Sequence, residues 1–86
     1  MTILFFTADW CGICKSMYPI WNKMTEHNTS FTYELVDCTD NTEKAIQYTV
    51  SNLPTFLAVD EIGTPIDRRS GFLSEINFQK WLDSLK

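Results

Sequence analysis

Trp10-Cys11-Gly12-Ile13-Cys14-Lys15 decides how the rest of this chain is read. It follows the apolar run Ile3-Leu4-Phe5-Phe6 and opens a series, Cys14, Met17, Tyr18, Trp21 and Met24, spaced as one face of a helix. Two cysteines with two residues between them, at a strand-to-helix junction, place the first sulfur at the helix N-terminus. Unpaired backbone N–H groups and the positive end of the helix dipole there favour a thiolate over a thiol. The second sulfur lies one turn further in, near enough to close a small disulfide ring. A dithiol that cycles to a disulfide is a redox centre.

Upstream of the pair, residues 2–7 read as a buried strand, a continuous apolar run bounded by Asp9. Downstream, residues 12–27 read as the first helix. Pro19 falls inside it and predicts a kink, because it removes one backbone donor and crowds the preceding turn. After the polar connection Glu26-His27-Asn28-Thr29-Ser30, residues 31–37 read as a second strand, parallel to the first across the helical crossover. Thr39 and Asp40 are candidate caps for a short second helix ending near Tyr48, with Glu43 at capping-box spacing from Asp40. A break at Val50 to Thr55 precedes a third strand at 56–59, and Asp60-Glu61-Ile62-Gly63 forms a turn. Residues 65–70 form a fourth strand, marked as an edge by Pro65 and Arg68-Arg69. Ser74 caps a last helix whose apolar face is Phe78, Trp81, Leu82 and Leu85. The order is βαβαββα, an α/β fold with no linker or repeat.

Composition bounds the function. Eighty-six residues make one small domain, 1–86, with twelve aromatic side chains for its core. A net charge of −4 leaves no basic patch and argues against nucleic acid or an acidic membrane surface as partner. No apolar run approaches a membrane span, and the N-terminus lacks a secretory signal, so a cytoplasmic location is the expectation. There a close cysteine pair points to catalysis or metal binding more than to a structural staple. A zinc site needs four ligands, and only Cys38 and His27 remain to join the pair.

The chain resembles the thioredoxin family. The family's Trp-Cys-Gly-x-Cys-Lys active site stands here as Trp10 to Lys15, and its helix-kinking proline as Pro19. The aspartate ending its next strand is matched by Asp37. Its Tyr-x-Ile-x-x-Ile-Pro-Thr stretch is similar to Tyr48 to Thr55, and its glycine before the last helix, with Leu-Ser two residues on, to Gly71, Leu73 and Ser74. Departures stand beside the matches. Full-length thioredoxins carry a strand and helix ahead of the active-site strand, so the outline here is that of a glutaredoxin or a short thioredoxin. Gly12-Ile13 replaces Gly-Pro between the cysteines. The aspartate that thioredoxins bury six residues before the first cysteine is Phe5, and the lysine that usually faces it corresponds to Tyr33.

The resemblance implies a four-stranded mixed sheet flanked by helices. It also implies a disulfide reductase whose redox group is its own Cys11–Cys14 pair, with no separate cofactor. Cys11, at the helix terminus, is the expected nucleophile on protein disulfides and Cys14 the resolving thiol. Trp10 corresponds to the family's exposed tryptophan, and the bond before Pro54 to its cis peptide. Gly12, Ile13, Leu53, Pro54 and Gly71 complete the expected substrate-binding set. Leu53 offers backbone to an extended segment, and Gly71 lets it approach closely. Expected partners are disulfide substrates and a thioredoxin reductase-like donor, and the chain is expected to be a monomer. A glutathione-dependent glutaredoxin and a non-catalytic binding subunit remain as alternatives. Cys38 is expected to be a buried thiol away from the active site, and His27 a surface residue.

Overall fold

The computed structural model describes residues 1–86. Strand β1 (Thr2–Thr7) leads into helix α1 (Gly12–His27), followed by β2 (Thr32–Asp37), α2 (Glu43–Gln47), β3 (Thr55–Val59), β4 (Pro65–Ser70) and α3 (Glu75–Ser84). The four strands form one mixed sheet in the order β2-β1-β3-β4. β1 and β2 are parallel; β1 and β3, and β3 and β4, are antiparallel. β4 is an edge strand, as Pro65 and the paired arginines predicted.

The unbroken apolar run in β1 follows from its central place. Alternate side chains of a strand point to opposite faces, and here both faces are covered. Ile3 and Phe5 join Met17, Trp21 and Met24 of α1, Phe56 and Ala58 of β3, and Phe78, Trp81 and Leu82 of α3 in one buried cluster. Leu4 and Phe6 join Val36, Cys38, Ala45, Leu57 and Val59 in the other. Each large apolar side chain fully buried in this way contributes about 1.5–3 kcal/mol. Ser74 caps α3 by accepting the Asn77 N–H at 3.2 Å, a contact worth about 1 kcal/mol. Asn28, just past α1, exchanges side-chain hydrogen bonds of 3.0 and 2.8 Å with Gln79 and so fastens α1 to α3.

Two local expectations need correction. The capping box at Asp40 does not form: α2 begins only at Glu43, its N-cap Thr42 makes no side-chain bond, and Asn41 Oδ1 accepts the Glu43 N–H at 3.0 Å. Thr39 is occupied elsewhere. Its hydroxyl accepts the Asp9 N–H at 2.8 Å and donates to Asp37 Oδ1 at 2.6 Å, bracing the loop after β1 against the end of β2. The register between β1 and β2 also pairs Phe5 with Leu35, and Tyr33 with Ile3. Leu35, not Tyr33, therefore stands beside Phe5. Tyr33 instead stacks edge-on against Trp21, with ring centroids 5.5 Å apart.

Candidate active site

Strand register brings three distant segments to one end of the sheet. Phe6 pairs with Thr55, so Pro54 falls beside Thr7, at the end of β1 that runs into Cys11. Thr55 pairs with Ser70, so Gly71 extends the same row. Thr7 pairs with Asp37 on the parallel side, which puts Cys38 at this end as well.

Cys11 is the N-cap of α1 and is bonded to Cys14 in a disulfide, with Cα atoms 5.3 Å apart. Its Sγ accepts the Cys14 backbone N–H at 3.2 Å. A sulfur in that place gains both an orphan helix donor and the positive end of the dipole, each of which favours its anion. Burial separates the two sulfurs' roles. Cys11 is 8% exposed and Cys14 0%, so an incoming group meets Cys11. Gly12 and Ile13 form the first turn between them, Ile13 half-exposed. Trp10, at 72% exposure, is a large apolar surface immediately before the pair.

The peptide bond between Leu53 and Pro54 is cis. The Gly71 N–H donates to the Pro54 carbonyl at 2.8 Å, and the Thr55 hydroxyl donates to the Asn52 carbonyl at 2.6 Å, so both flanks of the turn are tied down. Gly71 has φ of +87°, and a Cβ there would meet nothing within 4 Å. The left-handed backbone, not internal crowding, requires glycine, and the space over it is open to an outside chain. Leu73 N–H donates to Met17 Sδ at 3.4 Å, holding this loop to α1.

Cys38 differs from expectation. Rather than lying away from the site, it lines a cavity of about 180 Å³ with Trp10, Thr42, Ala45, Val50 and Leu53. Its thiol remains buried, and burial, followed by the charge of neighbouring Asp37, pushes its pKa up. Asp37 itself is held below the usual carboxylate range by the Thr39 hydroxyl, then by the Thr39 backbone N–H. His27 lies at the far end of α1, its Nδ1 at 2.8 Å from the Lys23 carbonyl oxygen. Sixteen residues of helix rise put it roughly 24 Å from Cys11, and no three His, Cys, Asp or Glu side chains converge to hold a metal.

Sequence reading missed the half-exposed Phe72, which follows Gly71 on the rim of this end. It also missed the bond between the Thr7 and Tyr18 hydroxyls, 2.9 Å apart under α1. The second had a signal: Thr7 continues the Ile3, Phe5 face of β1, and Tyr18 lies one turn after Cys14.

A family model for thioredoxin matches residues 1–84. The chain belongs to the thioredoxin family. Among curated relatives, mouse mitochondrial thioredoxin is 34% identical over 84 residues, covering 96% of this chain and 50% of its own length. Thioredoxin C-3 of Corynebacterium nephridii is 30% identical over 76 residues, covering 88% and 52%. The chain thus spans about half the length of these two relatives. The structure of Fasciola hepatica thioredoxin superposes with a TM-score of 0.88 at 28% identity, over 99% of this chain and 80% of that one. Thioredoxin 1 of Thermosipho africanus gives 0.75 at 26% identity over the full length of both. The mixed sheet flanked by helices is thus the thioredoxin-like fold, with the family's Cys-x-x-Cys pair closed as a disulfide. No helix is long and apolar enough to cross a membrane.

Proposed function

We propose that residues 1–86 form a self-contained domain that reduces protein disulfides through a Cys11/Cys14 dithiol cycle. The observation that carries this reading is the Cys11–Cys14 disulfide at the N-terminus of α1, at the sheet end that also holds the cis Leu53–Pro54 bond. In the reduced protein the Cys11 thiolate attacks one sulfur of a substrate disulfide. A mixed disulfide forms, and the other substrate sulfur leaves with the bonding pair. Cys14 then loses its proton, attacks Cys11 Sγ, and releases the first substrate sulfur as a thiolate. Two electrons have passed to the substrate, and a flavoprotein reductase of the thioredoxin reductase type restores them.

Trp10, Gly12, Ile13, Leu53, Pro54 and Gly71 receive the substrate. Trp10 and Ile13 supply exposed apolar contact, and the backbone of Leu53 pairs with an extended segment in the manner of an added strand. The location is cytoplasmic and the protein acts as a monomer. Insulin-disulfide reduction tests the reading: turnover with NADPH and thioredoxin reductase is expected to exceed turnover with glutathione and glutathione reductase. Rapid turnover with glutathione alone would assign the glutaredoxin activity instead. No turnover with either donor would leave a binding subunit as the reading.

A further inference from the structure

Cys14 is fully buried, and burial in apolar surroundings disfavours a thiolate. The reaction proposed above nevertheless needs that thiolate twice: as attacker when the mixed disulfide is resolved, and as leaving group when the disulfide is reduced. On β1 the residues of this face are Ile3, Phe5 and Thr7; on α1 they are Cys11, Met17, Tyr18 and Trp21. The Leu53–Pro54 turn and the segment Gly71 to Ser74 bring no ionisable side chain. Cys11, its partner, and Tyr18 are the titratable groups among these, and Asp9 and Lys15 beside the motif are exposed. On β2 the charged group is Asp37, which pairs with Thr7; its side chain is exposed, and one oxygen accepts from the Thr39 hydroxyl and N–H.

Thr7 and Tyr18 are the hydroxyl-bearing members of that set. Thr7 is 1% exposed, and its Oγ1 lies 2.9 Å from the Tyr18 hydroxyl. Cys14 and Tyr18 stand four residues apart on one helix face, a spacing that makes side chains neighbours. Helical side chains lean toward the N-terminus, so the Tyr18 ring is carried back under the Cys14 turn. Phe5 supports it from the sheet, with ring centroids 5.8 Å apart. A threonine hydroxyl has one proton and two lone pairs. If Tyr18 donates to Thr7, the Thr7 proton is free for another acceptor.

We propose that Thr7, oriented by Tyr18, donates a hydrogen bond to the Cys14 thiolate, doing with a neutral hydroxyl pair what a buried carboxylate cannot do where Phe5 stands. This rests on the dithiol reading. Thr7 is the catalytic group and Tyr18 a positioning residue. In the resolving step the Cys14 proton passes to solvent water. The sulfur's lone pair forms the bond to Cys11 Sγ, and the outgoing sulfur takes the pair of the broken bond. Thr7 contributes no net proton. It stabilises the anion before attack, and stabilises it again when Cys14 is expelled by the reductant.

The chromogenic disulfide 5,5′-dithiobis(2-nitrobenzoate) separates the steps. Reduced protein releases one thionitrobenzoate as Cys11 is captured, and a second as Cys14 displaces it. Thr7→Val is expected to leave the first phase unchanged, to raise the pH midpoint of the second by about one unit, and to slow it about tenfold at neutral pH. Tyr18→Phe is expected to shift the midpoint in the same direction by less, and Thr7→Ser to retain the parent profile. Tyr18→Phe carries the test alone if Thr7→Val does not fold by circular dichroism. An unchanged second-phase midpoint in the folded variants, or a Thr7→Ser as slow as Thr7→Val, would overturn the proposal. A parent protein without a second phase would refute the dithiol cycle itself, and this assignment with it.

Discussion

Phe5→Asp puts a carboxyl where the family resemblance leads one to look for it, and the surroundings set the result. Phe5 has no exposed surface, and its ring centroid lies 4.8 Å from Phe56, 5.2 Å from Trp21 and 5.8 Å from Tyr18. The neighbour across the parallel ladder is Leu35, so no cation meets the new group. Truncating a buried phenylalanine costs about 3–5 kcal/mol, and a buried carboxyl without partners costs about 1–3 kcal/mol even when protonated. A domain of 86 residues has a total stability of about 4–13 kcal/mol. Phe5→Asp is therefore expected to sit at the edge of folding even under conditions that keep its carboxyl neutral.

Its pH dependence distinguishes burial from mere damage. Burial raises the folded-state pKa of the introduced carboxyl above its unfolded value of about 3.9. The folded state then holds the proton more tightly than the unfolded one. The penalty is smallest below about pH 3.9. It grows by about 1.4 kcal/mol per pH unit until the folded pKa is passed, and is constant above it. Phe5→Leu removes the ring without adding a charge and is expected to cost about 1–2 kcal/mol at every pH. Urea melts of both variants from about pH 4 to about pH 7 decide the matter. The expected result is a Phe5→Asp protein that folds at the acid end and is largely unfolded at neutrality. A constant difference between the variants would show the carboxylate reaching water, and would refute the placement of residue 5 in the core beneath α1.

Cys14→Ser is expected to accumulate mixed disulfides on Cys11 with substrate proteins, and Cys11→Ser to accumulate none; non-reducing gels read both, and trapping through Cys14 alone would reverse the roles. Ile13→Pro lies in the first turn of α1, where a missing N–H costs no helical bond, and is expected to lower the reduction potential by about 30 mV against a glutathione couple. Thr39→Val removes the hydroxyl, the larger of the two donors that depress Asp37, and keeps the backbone N–H, so the Asp37 titration followed by NMR is expected to move up part of the way. Because the folded pKa is depressed, the stabilisation it represents is present above the unfolded pKa and lost as pH falls through the folded one, so the gap between parent and variant narrows in acid to what the lost Asp9 N–H bond leaves. Cys38, its thiol raised by burial and then by Asp37, is expected to react with the nitrobenzoate reagent only after unfolding; a fast equivalent from the native oxidised protein would contradict this.

Elements marked by an unbroken apolar run, a helical period, edge residues or a cap were legible in the sequence. β1, α1, β4 and the Ser74 cap stand where the apolar spacing and cap chemistry put them. α2 was not, because Thr39, Asp40, Asn41 and Thr42 are all competent caps, and the choice among them was made by tertiary demands on Thr39. Cys38 was misplaced for a related reason. The expected parallel pairing already made β1 and β2 finish at one end of the sheet; the register of Thr7 with Asp37 then sets the residue after β2 beside the segment that leads into the cysteine pair. The lysine equivalence failed by two residues, a slip that keeps the same face of the sheet but exchanges an aromatic side chain for Leu35.

That exchange ties the first strand's composition to its chemistry. A carboxylate at residue 5 needs water or a cation within reach, and Leu35 with a packed aromatic cluster supplies neither. With Phe5 there, the core cluster under α1 holds no charged side chain, while Cys14 is fully buried. Any aid to the Cys14 thiolate must then come from groups that can be buried without ionising, which restricts the candidates to backbone N–H groups and hydroxyls. The Cys14 N–H is already given to Cys11 Sγ. On this face of the sheet and helix, the hydroxyls of Thr7 and Tyr18, bonded to one another at the end of β1, are groups of that kind.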